Sequence, residues 1–254
     1  MSFHRSAEIC DDMFDHRIPL PSKSRRGVVA VLLCAALGCV YGGVRLMGRS
    51  SAASAAVPSA VSNSNIIAKP AAARAPRNDA ISKLAILVFK SEKRMEVWGW
   101  RMERWSLLRE YPVLAASGVA GPKLAEGDRQ VPEGIYRVVE MNPRSRFHMS
   151  VKLDYPNAFD RSMAEREGRF KLGNDICIHG KNCSVGCVAI GDPAVEDLFA
   201  LLERTGQVNA KVIIAPNDLR EHIAVKNPNL KKITWLNELY DSLVAELKPF
   251  KRNS

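Results

Sequence analysis

The sequence predicts a mainly β domain with helices added late, an α+β fold, behind an apolar segment and a low-complexity tether. Three observations carry this. The run LAILVFK (84–90) is short and almost wholly apolar, the texture of a strand buried on both faces. Segments 134–141 and 147–153 alternate apolar and polar residues, the period of half-buried strands. Clear helix signals gather near the end. Over 193–204 there is Pro in the first turn, Glu196 and Asp197 early, Arg204 late and Gly206 beyond. The stretch 234–247 is amphipathic.

Residues 1–26 carry no fold signal and read as a short cytoplasmic tail. The run VVAVLLCAALGCVYGGV (28–44) is uncharged and preceded by Lys23, Arg25 and Arg26. It is just long enough to cross a bilayer, so 27–48 is expected to be a transmembrane anchor. Basic residues on its N-terminal flank should stay in the cytoplasm, which predicts a single pass with the C-terminal bulk of the chain outside. A cleaved signal peptide is the rival, because small residues follow at Ala53–Ala56, but Arg45 and Arg49 intervene. Residues 49–80 are rich in Ala, Ser and Pro, cannot bury enough surface to offset ordering entropy, and read as a tether.

The domain is expected over 81–216, with a helical extension over 217–254. After LAILVFK, Met95–Trp100 reads as its partner strand and Trp105–Ser117 as one or two more. Gly118–Gly134, rich in Gly, Pro and charge, reads as a long functional loop. A short helix is expected over Asp160–Arg169, and short strands over Asp175–His179 and Lys211–Ala215. The chain carries +10, divided equally between residues 1–80 and the remainder. That mild excess suits an anionic polymer or a membrane neighbourhood. It lacks the clustered basic face of a nucleic-acid binder.

Three of the six cysteines sit together in DICIHGKNCSVGCVAIGD (175–192), with His179 among them. Three chemistries compete. Cys187 follows Gly186 and precedes an apolar segment, a place for a nucleophile with backbone N–H groups near an oxyanion. A histidine side chain ordinarily exchanges protons near neutral pH, which makes His179 the candidate for its base. Cys177, His179, Cys183 and Cys187 also offer four zinc ligands, packed more tightly than the usual paired knuckles. Finally, Cys177 and Cys183 suit a disulfide or buried free thiols.

The motif IHGKNCSVGC resembles the signature of the L,D-transpeptidase (YkuD-type) catalytic domain, in the subgroup where histidine and cysteine share one short loop. LVFKSEKRMEVW (87–98), VAGPKLAEGDRQVPEGIYRV (119–138) and NPRSRFHMSVKLDYPNAFDR (142–161) extend the resemblance over most of 82–216. It implies a YkuD-like β-sandwich acting on peptidoglycan stem peptides without metal or organic cofactor. It implies Cys187 as nucleophile and His179 as base, oriented by the Gly180 carbonyl. Gly186 would shape the turn and the oxyanion hole. Arg146, His148, Ser150, Glu126, Asp128 and Ser184 would line the substrate groove. The commoner family pattern is Ser-His-Gly-Cys with Arg two residues on; here Ser184-Val185-Gly186-Cys187 is followed by Val188 and Ala189. The subgroup includes amidase-like members, so aminolysis and hydrolysis of a thioester both stay open. A non-catalytic murein-binding domain is the reading from a different class.

Overall fold

The structure, a computed structural model, describes residues 80–252 except Lys226. The expected tail, anchor and nearly all of the tether lie outside the described residues. Among the described residues, no helix is long and apolar enough to cross a membrane.

Nine strands dominate the described residues: β1 (Lys83–Phe89), β2 (Arg94–Arg101), β3 (Arg104–Pro112), β4 (Ala115–Ala116), β5 (Gly134–Ser145), β6 (His148–Leu153), β7 (Cys177–His179), β8 (Val188–Ala189) and β9 (Ala210–Ala215). Among the described residues three α-helices join them: α1 (Ala158–Arg166), α2 (Asp192–Thr205) and α3 (Leu236–Leu247). The fold is a sheet-dominated α+β, as expected. The strand order is β3-β2-β1-β9-β5-β6-β7-β8-β4. The layers expected of a sandwich are continuous through β5, whose residues 134–137 pair with β9 and whose later residues pair with β6.

The apolar run in β1 is buried on both faces because the pleat sends alternate residues to two different clusters. Leu84, Ile86 and Val88 join Val212 and Ile214 of β9 in the main core, with Val151, Ile178 and Val188 from the other half of the sheet. Ala85, Leu87 and Phe89 join Ile213 and Ala215 on the opposite face. That face is covered by Trp235, Leu239, Leu243, Leu247 and Phe250 from the C-terminal extension. Leu239, Leu243 and Leu247 recur every fourth residue, so α3 lays one stripe on the sheet.

Two buried polar clusters tie the extension down. Glu96 is fully buried and accepts from Trp98 Nε1 at 2.8 Å and from Arg220 Nη2 at 2.9 Å. Asp218 takes Arg94 and Arg220, each at 2.5 Å, while both guanidinium groups lie 5.0 Å from the Phe89 ring centroid. Glu133 pairs with Lys90 at 3.1 Å and accepts from Tyr240 of α3 at 2.9 Å. Burial pushes the Lys90 ammonium below its ordinary pKa, against the pull of Glu133.

Element ends differ from expectation in instructive ways. Helix α1 starts at Ala158, two residues before the expected Asp160, because Asn157 and Asp160 form a reciprocal capping box with bonds of 3.0 and 2.9 Å. Strand β5 runs four residues past Met141 to Ser145, carried by its pairing with β6.

Truncating Leu243 to Ala removes a fully buried side chain from the face that covers β1 and β9. It is expected to cost about 2–5 kcal/mol, read as a lower urea midpoint. An unchanged midpoint would contradict this packing.

Candidate active site

The site is built on a parallel pairing that is unusually short in sequence. Strands β7 and β8 pair through Ile178 with Val188 and His179 with Ala189. Parallel neighbours ordinarily need a crossover of a dozen or more residues. Here residues 180–187 suffice, because the strands are only three and two residues long. The loop therefore returns Cys187 to the level of Cys177, on the strand it has just left. Ile178 and Val188 point into the core. Their neighbours Cys177, His179 and Cys187 accordingly share the other face.

Gly180 makes the turn possible. A Cβ there would lie 2.5 Å from Asp192 Oδ1 and 2.8 Å from the Phe147 carbonyl oxygen, so a side chain would collide with neighbouring chain. Its carbonyl lies 2.6 Å from His179 Nδ1. A carbonyl can only accept, so Nδ1 carries the proton and, in the neutral ring, Nε2 carries the lone pair. The imidazole is fully buried against the Phe147 ring, with centroids 4.7 Å apart. Its Nε2 makes no hydrogen bond of full geometry, yet His179 is among the groups that favour the Cys187 thiolate.

Cys187 is buried, 6% exposed, and its sulfur accepts the Cys177 main-chain N–H at 3.4 Å. The Cys177 thiol, then His179, hold the Cys187 thiol well below its ordinary pKa, against the opposing effect of burial. The same contact with Cys187, together with burial, pushes the Cys177 thiol up. All three described cysteines are free thiols. Among the described residues, no group of three or more His, Cys, Asp or Glu side chains converges as a metal site would require.

A family model of the YkuD L,D-transpeptidase catalytic domain matches residues 83–214. The chain belongs to that family. It is also similar to a curated protein of Escherichia coli K12, "Putative L,D-transpeptidase YafK", at 29% identity over 173 residues, 66% of this chain. The match spans 65% of that relative's length. Among solved structures, the helical cell shape determining protein Pgp2 of Campylobacter jejuni is 20% identical, with a TM-score of 0.46 over 59% of this chain and 54% of its own. L,D-transpeptidase 1 of Mycobacterium tuberculosis is 14% identical, with a TM-score of 0.32 over 52% of this chain and 62% of its own.

Within this YkuD domain, the residues expected at the site divide by what they touch. A cavity of about 310 Å³ opens on Cys187 and includes Glu126, Gly127, Arg129, Asn174, Asp175 and Val185 in its wall. Glu126 thus reaches the cavity. Asp128 is turned into its own loop, bonding Lys123 at 2.5 Å and the N–H groups of Leu124, Ala125 and Gln130. Burial disfavours its charge, but Lys123 and those N–H groups outweigh burial and hold the carboxyl below the usual range. Asp128 shapes the loop rather than lining the cavity.

Ser184 likewise works inward. Its hydroxyl donates to the Cys187 carbonyl at 2.6 Å, accepts from the Ser117 N–H at 3.0 Å and lies 3.1 Å from Ser117 Oγ. Gly186 has φ +95°, a conformation that favours glycine, and its N–H donates to Ser117 Oγ at 2.6 Å. This N–H thus already has a partner within the fold. Ser150 is buried opposite His179 in the β6–β7 pairing. His148 starts β6, and its Nε2 lies 2.6 Å from Glu196 of α2. Exposed Arg146 is in the preceding turn; neither it nor His148 belongs to the cavity wall. A larger cavity, about 740 Å³, lies between the β2–β3 end and Lys251 and Arg252. It shares no residue with the Cys187 site and sits toward the other end of the strand order.

Sequence reasoning missed Ser117, Arg129, Asn174 and Asp175. Ser117 lies 67 residues from Ser184, and no local pattern links them. Ser184→Ala is expected to cost about 1–3 kcal/mol by leaving the Ser117 N–H without its acceptor and loosening the loop. Differential scanning calorimetry checks this; an unchanged melting temperature would contradict the inward role.

Proposed function

We propose that this chain is a peptidoglycan-modifying cysteine L,D-transpeptidase. The observation that carries the reading is the Cys187–His179 pair in a YkuD-family domain, with Nδ1 tied to the Gly180 carbonyl and the thiol pKa depressed. In this reading the Cys187 thiolate attacks the carbonyl of the third stem-peptide residue, diaminopimelate. A thioester forms, and the terminal D-amino acid leaves with a proton delivered by His179. An amine from a second peptide or an anchored protein then resolves the thioester. With water as acceptor, the same pair makes the enzyme a hydrolase. The 310 Å³ cavity, with Glu126, Arg129 and Asp175 in its wall, offers charges of both signs to a zwitterionic diaminopimelate centre.

The working location in this proposal is the periplasmic face of the inner membrane, with residues 27–48 as anchor and 49–80 as tether. Its support is the uncharged run 28–44 and its basic N-terminal flank.

The test is mass spectrometry of products from tetrapeptide-bearing muropeptides, beside Cys187→Ala and His179→Ala. Cross-linked products that need Cys187, with at least a hundredfold loss in His179→Ala, are expected. Products that are only shortened or released assign the hydrolase outcome. Equal, unreacted spectra for wild type and a folded Cys187→Ala protein would remove the catalytic reading.

A further inference from the structure

We propose that Cys177 is a positioning residue for the Cys187 thiolate, presenting both its main-chain N–H and a thiol that keeps its proton. The proposal rests on the reading of Cys187 as the nucleophile and adds a second cysteine to that site.

The argument starts from the cost of the anion. A thiolate 6% exposed has lost most of its water and needs donors in its place. The β7–β8 pairing sets Cys177 beside Cys187 on the same face, and the Cys177 N–H points at the Cys187 sulfur from 3.4 Å. Both thiols also reach one acceptor, the Asp175 carbonyl, at 3.7 Å from Cys177 and 3.6 Å from Cys187. A carbonyl only accepts, so either contact needs the sulfur to carry its proton. Once Cys187 ionises, it has nothing to donate to Asp175, and two electron-rich atoms face each other. The arrangement stays favourable only if the neighbouring sulfur keeps its hydrogen and shares it with the anion. The opposed pKa directions of the two thiols agree, with Cys177 raised and Cys187 lowered.

The other groups around Cys187 are assigned elsewhere or act alongside. His179, on the same strand as Cys177, is the proposed base. Lys152 of β6 is paired with the Asp175 carboxylate at 2.5 Å, and Lys123 with Asp128 at 2.5 Å. Glu126 and Arg129 lie in the cavity wall. None of these side chains is itself altered by a substitution at residue 177. A shift in the titration of Cys187 is therefore read from position 177.

The experiment is the pH dependence of iodoacetamide alkylation at Cys187 in the full chain, with the adduct located by fragment-ion mass spectrometry. Wild type is compared with Cys177→Ala, Cys177→Val and Cys177→Ser. Ala and Val remove the side-chain donor, Val at similar volume, and Ser keeps a donor. The expected result is a midpoint raised by about one pH unit in Ala and Val and returned close to wild type in Ser. If one apolar variant loses its melting transition, the other carries the comparison. An unchanged midpoint in a folded apolar variant overturns the proposal, as does a Ser variant shifted as far as Val or a wild type without a Cys187 adduct at any pH. The readout needs no stem peptide. An enzyme active on muropeptides with a midpoint indifferent to residue 177 would defeat this proposal alone. A residue-177-dependent midpoint in a protein inert to muropeptides would defeat the transpeptidase reading alone.

Discussion

The pairing of Ile178 with Val188 and of His179 with Ala189 is the constraint from which the rest of the site follows. Because those two apolar side chains must enter the core, the pleat leaves Cys177, His179 and Cys187 on the other face. Because the connection is only residues 180–187, the backbone must turn twice within it, and it does so at Gly180 and Gly186. The first turn also delivers the carbonyl that fixes the imidazole tautomer. One short piece of β-pairing thus sets where the sulfur lies, which ring nitrogen carries the lone pair, and which N–H groups face the sulfur.

The rest of the domain holds that pairing still. The core behind Ile178 and Val188 is shared with β1, β9 and α2. Ser117 and Ser184 clamp the loop from the far side of the sequence. The long loop 118–133 is held by the buried Glu133–Lys90 pair, and Tyr240 of α3 bonds the same carboxylate. The C-terminal extension therefore covers one face of the sheet and also touches the loop that walls the cavity. A buried ion pair is costly to break on one side, because the remaining charge is stranded, so this brace is specific in geometry even where its net contribution is small.

Much of this was legible in the sequence, and the reasons are local. LAILVFK announced a strand covered on both faces, and Lys211–Ala215 a further strand. The capping and charge pattern of residues 192–206 marked α2 to within a residue at each end. The cluster around His179 drew attention because titratable and nucleophilic residues rarely concentrate so closely without cause. What stayed hidden depends on contacts distant in sequence. The Ser117–Ser184 clamp joins residues with no shared pattern. Asp128 and Ser184 were expected along the substrate groove, because their inward partners are not visible in the sequence. Cys177 stayed open between a structural thiol and a metal ligand, because only the return of the loop places Cys187 beside it. Asn157 was missed as a helix cap because its partner Asp160 looked like the helix start.

The central claim is that Cys187 carries an acyl group during the reaction. The most direct measurement is the intact mass of the full chain, quenched in acid after mixing with a tetrapeptide muropeptide. The account predicts a mass increase equal to the donor less its free terminal amino acid, which carries away the thiol proton. That adduct should be released by hydroxylamine, as a thioester is, mapped to Cys187 and absent from Cys187→Ala. Turnover of the muropeptide with an adduct on another residue, or turnover undiminished in Cys187→Ala, would contradict it.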